Sequence, residues 1–106
     1  MSSLRALTIT NGGIIRFFSG TTNIVGSFVT TGTTMKYLQS STSGSRATIS
    51  AASGTFLVTY LSIKDSAATG GATWNATDPT NVDLGNNTGW IFAGAGATGN
   101  MFIIFN

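Results

Sequence analysis

Residues 69–92 read TGGATWNATDPTNVDLGNNTGWIF, a stretch that holds two of the chain's three acids, both tryptophans and the only proline. It poses a choice between a chemical site and the covering of a fold's end. The tryptophans decide between them. Each lies in a short run with small or apolar neighbours, TWNA and GWIF, of the kind that forms a brief strand anchored to a core by its indole. The acids Asp78 and Asp83 lie between these runs, beside Pro79 and Gly85, where short carboxylates bond nearby backbone N–H groups and shape turns. Gly70 and Gly71 permit a sharp reversal just before Trp74. The stretch therefore reads as two strands and an ordered loop that close a β stack.

The same style runs back through the chain. Glycine and small polar residues recur about every ten positions, and the segments between are short and rich in β-branched and aromatic residues, as in all-β proteins. No window keeps apolar residues at helical spacing, and helix formers are too sparse to outweigh the Gly, Ser and Thr. Strands are expected at 6–10, 14–18, 23–30, 35–40, 47–51, 55–64, 73–76, 89–93 and 101–105. Alternation puts Leu7 and Ile9 on one face of their strand, and Ala47, Ile49 and Ala51 on one face of theirs.

In FLVTYLSIK, residues 56–64, both alternating faces are apolar, so a single strand covered on both sides is expected. MFIIF, residues 101–105, is apolar on both faces too, and such a strand needs covering by its own sheet or by another subunit. Met101, Phe102, Ile103, Ile104 and Phe105 are accordingly the expected interface. The chain reads as one all-β domain over residues 1–106: a short parallel β-solenoid, with a small antiparallel β-sandwich as the alternative.

Charged residues make up 8% of the chain, against roughly 25% in an average soluble protein, so its polarity comes from Ser, Thr, Asn and Gly. With 42% apolar residues and a net charge of +2, the composition is the reverse of a disordered segment's. Arg5, Arg16, Lys36, Arg46 and Lys64 are scattered singly, without the basic run or stripe that gives phosphate affinity, so no nucleic-acid partner is expected. No apolar run is long enough to span a bilayer, and the N-terminus lacks the apolar core of an export signal. Synthesis in the cytoplasm without membrane attachment is the expectation.

The sequence contains no His, Cys or Glu, which removes the commonest general base, the thiol nucleophile and most transition-metal ligands. No enzyme activity, cofactor or metal is expected. Asp78 and Asp83 could pair across a sugar as glycosidase carboxylates do, and with Asn81, Asn86 and Asn87 they offer the hard oxygens that calcium takes. Turn capping by the two aspartates outweighs the first reading, and the spacing matches no calcium-loop pattern. Ser66 has no activating base other than a lysine such as Lys64. Residues 94–99, GAGATG, lack the following Lys-Ser/Thr and helix of a phosphate-binding loop. Asn75 and Asn86 stand in formal glycosylation sequons, matches that so Asn- and Thr-rich a chain produces by chance. Trp74, Trp90 and Tyr60 could alternatively serve as stacking platforms for sugar rings.

The run IKDSAATGGATWNA at residues 63–76, followed by NVDLGNNTGWIF at 81–92, resembles a recurrent segment of bacteriophage and metagenomic virion-associated proteins. In those, a β-rich region of the right-handed solenoid kind closes with such a pattern. Ile63, Asp65, Ser66, residues 69–74 and residues 85–92 carry the resemblance, which covers about thirty residues. The ending GNMFIIF is similar, more loosely, to apolar C-terminal strands of phage structural proteins. The resemblance implies a non-enzymatic part of a virion, on the capsid surface or the tail. The chain's small size favours a capsid decoration, or cement, protein bridging major capsid subunits, as a homo-trimer or dimer. A glycan-binding module displayed on capsid or tail is the second expectation.

Overall fold

The computed structural model describes residues 2–93; the strand expected over Met101 to Phe105 and the glycine-rich stretch at 94–99 lie outside them. Within the described residues the chain winds as a β-solenoid of about four coils, with three short strands to each coil. The first coil carries β1 (Ser2–Leu4), β2 (Leu7–Ile9) and β3 (Ile14–Phe17), and the second β4 (Thr22–Val25), β5 (Phe28–Thr30) and β6 (Lys36–Ser40). The third carries β7 (Ala47–Ser50), β8 (Thr55–Leu57) and β9 (Leu61–Lys64), and the fourth β10 (Ser66–Thr69), β11 (Thr73–Ala76) and β12 (Val82–Asp83). β13 (Trp90–Phe92) opens a fifth.

Among the described residues every strand pairing is parallel, which excludes the antiparallel sandwich. Parallel neighbours cannot be joined by a hairpin, and here the rest of each coil makes the crossover. One face stacks β1-β4-β7-β10 and another β3-β6-β9-β12; the remaining face consists of β2-β5 and of β8-β11-β13. Between β5 and β8 the ladder is interrupted, and the Thr59 N–H donates instead to the Thr30 hydroxyl across 3.0 Å.

Register stacks the inward positions of successive coils into rows. Asn23, Ile49 and Ala68 form one inward row, Ile15, Leu38 and Ile63 a second, and Phe56, Trp74 and Trp90 a third. Ile49, Leu61 and Ile63 are wholly excluded from solvent. The stabilisation is hydrophobic, roughly 25 cal/mol for each Å² of apolar surface removed from water, and Asn23 joins it by donating to the Thr48 carbonyl at 3.1 Å.

Residues 55–64 correct the expectation of a single two-faced strand. β8 and β9 are separate strands on different faces of the solenoid, and Tyr60 at the corner adopts φ 51°. The corner inverts the alternation: Val58 is buried before it, and Leu61 and Ile63 after it, so all three point into one core. Asp65, at φ 53°, marks the next corner, beyond which Ser66 and Ala68 face inward. The expected strand at 23–30 is likewise two, β4 and β5, divided at Gly26 and Ser27. Sequence reading missed β1, which precedes the first expected strand, β10, whose SAAT lacks large β-formers, and β12, which is two residues long.

Candidate functional site

The stretch at 69–92 supplies the last strands of the described residues, and its tryptophans lie in the core. Trp74 is 2% exposed and Trp90 7%. Their ring centroids lie 5.2 Å apart at 63°, with Phe56 5.0 Å and Phe28 6.2 Å from Trp74. Each buried indole N–H is satisfied: Trp74 Nε1 donates to the Thr69 carbonyl and Trp90 Nε1 to the Ser66 hydroxyl, both at 3.0 Å. A ring enclosed on both faces cannot stack on a sugar, so Trp74 and Trp90 are core residues and not a glycan platform. Tyr60 is only half-buried, but its ring lies 5.6 Å from the ammonium of Lys36. That lysine is completely buried and donates to the Gly32 and Thr34 carbonyls, each at 3.2 Å.

The three acids are occupied at corners. Asp78 accepts from the backbone N–H and hydroxyl of Thr80, and these two bonds hold its carboxyl below the ordinary carboxylate range. Asp83 accepts from the Gly85 N–H and the Asn87 amide. Asp65 is buried, and accepts from the Asn86 amide at 2.7 Å and the Gly44 N–H at 3.0 Å. The Asn86 amide first, then the Gly44 N–H, lower its pKa against the opposing effect of burial, with Lys64 and Arg46 assisting. Among the described residues no three His, Cys, Asp or Glu side chains converge as a metal-binding group. Ser66 turns inward to Trp90, whereas Lys64 donates to the Ser43 hydroxyl at 3.0 Å, so the two do not face each other.

Two asparagines play matched parts that sequence reading did not assign. Asn81 accepts from the Leu61 N–H and donates to the Val58 carbonyl, spanning the corner at Tyr60. Asn87 accepts from the Ser66 N–H and donates to the Ile63 carbonyl, spanning the corner at Asp65. In each case one amide of the next coil pairs with two backbone groups that the left-handed residue turns away from the ladder.

Away from the core, two surface features offer recognition chemistry. On the face built by β8, β11 and β13, register aligns Leu57, Asn75 and Ile91 in one outward row. Leu57 is 68% exposed, and a hollow of about 250 Å³ opens between it, Asn75 and Thr77. On the face built by β3, β6 and β9, Arg16, Gln39 and Lys64 form another outward row. They line a groove of about 370 Å³. Nothing in the sequence signals this cluster, because its members come from three different coils. No protein-family model, characterised protein or solved structure matches this chain.

Proposed function

We propose that this chain is a non-enzymatic structural protein of a bacteriophage virion, a capsid decoration protein that binds major capsid subunits and copies of itself. The observation that supports this most is the solvent-facing apolar surface of a protein poor in charge. Phe18, Leu57, Ile14 and Ile91 all stand exposed on a scaffold whose backbone is tied by parallel ladders. Isolated apolar residues on a surface need no explanation, but Leu57 and Ile91 share one row beside a hollow, the arrangement of a contact patch. Low charge suits a permanent interface, since few ions have to be desolvated when it forms.

The virion assignment itself draws on the resemblance carried by residues 63–76 and 81–92. On this reading the work is mechanical: a stiff β-domain spans neighbouring subunits and holds them by buried area. Mass spectrometry of purified particles tests it directly. Hundreds of copies per virion are expected. Tens or fewer would move the protein to the tail, and its absence from particles would end the virion reading.

A further inference from the structure

We infer that the groove around Arg16 and Lys64 is a binding site for a carboxylated saccharide. The chain has five cations in 106 residues, far apart in sequence, yet the solenoid register sets two of them on one outward row, with only Gln39 between. Neighbouring parallel strands lie about 4.8 Å apart, so the backbones of Arg16 and Lys64 are separated by roughly 10 Å across two rungs. That leaves a span in which one sugar ring can present its carboxylate to one cation and its hydroxyls to the amide between.

The rest of the groove matches such a ligand. Ser41 and Ser43 line it, adding hydroxyl donors and acceptors. The Arg16 guanidinium bonds the Gln39 side-chain oxygen at 3.4 Å through Nε, which orients the side chain without neutralising it. Lys64 is held by a hydroxyl and not by an acid. Asp65, the one acid on the lining, is turned into its corner with both oxygens accepting from the protein, and against its single negative charge the same lining sets the two positive charges of Arg16 and Lys64. Phe18 follows β3 directly and is 77% exposed. Its register neighbour is Ser41 on the groove wall, since Phe17 pairs with Ser40. An open aromatic ring beside cations, an amide and hydroxyls is the equipment of sugar recognition, and the groove volume falls within the range of roughly 300–1,000 Å³ typical of small-ligand sites.

The inference does not rest on the virion reading; it requires only the coil register. The test is isothermal titration of the full chain with an oligogalacturonate, with a neutral maltodextrin of the same length, with inorganic sulfate and with a single-stranded oligonucleotide. Binding of the oligogalacturonate is expected, weakened at least tenfold in the R16A/K64A double variant and severalfold in F18A, with the melting temperature unchanged in both. L57S, on the apolar row of another face, should leave it intact. Equal binding of maltodextrin, of sulfate alone or of the oligonucleotide would overturn the proposal, as would no binding at millimolar oligogalacturonate or retained affinity in the double variant.

Discussion

Asn81 and Asn87 are small side chains with an outsized structural share, because each pairs two main-chain groups that no strand satisfies. Truncation leaves an N–H and a carbonyl unpaired, at about 1–3 kcal/mol for each buried group. Asn81→Ala and Asn87→Ala should each lower the melting temperature by several degrees to more than ten, measurable by circular dichroism, whereas Asn75→Ala, whose amide oxygen serves only Thr77 nearby, should cost less. Asp65 gives the corresponding pH dependence. Its folded pKa is depressed by Asn86 and Gly44, so its stabilising contribution is present above the unfolded-state value of roughly 4 and fades as pH falls through the lower folded value. Thermal scans should show stability declining on acidification below about pH 4, and Asp65→Asn should flatten that decline while lowering stability at neutral pH.

At the scale of the strand and its corner, the deciding events are single residues in left-handed backbone. Tyr60 and Asp65 shift the inward-facing positions by one, which is why β8, β9 and β10 all feed one core although their apolar positions do not share a parity. Glycine is required where the coils also come too close for a side chain. A Cβ on Gly70 (φ 92°) would fall on the Ala51 carbonyl oxygen and one on Gly89 (φ 78°) on that of Ala68. Gly20 has a similar φ of 77° but open space around it. Gly20→Ala should therefore cost only the backbone strain, about 1–2 kcal/mol, while Gly70→Ala and Gly89→Ala should cost more and leave a larger fraction of the expressed protein misfolded. Urea melts of the three variants side by side make the comparison.

Over the whole molecule, the solenoid is quasi-one-dimensional, and each coil is stabilised by its neighbours. Trp90 is the last buried aromatic of the described chain and packs on Trp74. Trp90→Ala should cost about 3–5 kcal/mol, a large part of the 5–15 kcal/mol by which domains are stable. It would also strand the Ser66 hydroxyl. Hydrogen exchange should then accelerate first in β10, β11 and β13 and later in β6 and β7. The outward apolar row makes a separate prediction: the double variant Leu57→Ser/Ile91→Ser should reduce self-association in sedimentation velocity, with little change in melting temperature because neither side chain is buried.

The strand-and-turn character of the chain, the burial of the tryptophans as the favoured reading of residues 69–92, and the turn-capping use of the acids were legible from residue order, because they follow from local chemistry: β-branched runs, indoles among small residues, short carboxylates beside glycine. The parallel solenoid was legible as one of two architectures, and parallel pairing is what separated them. Tertiary structure alone decided where strands break and what shares a row. The break in residues 55–64 depends on a tyrosine in a backbone region that its type rarely enters. The meeting of Arg16, Gln39 and Lys64 depends on coils of unequal length arriving in register. Local propensity acts over a few bonds and cannot sense either. Register is set by the summed burial of every inward row, so the surface it composes exists only once the whole coil has closed.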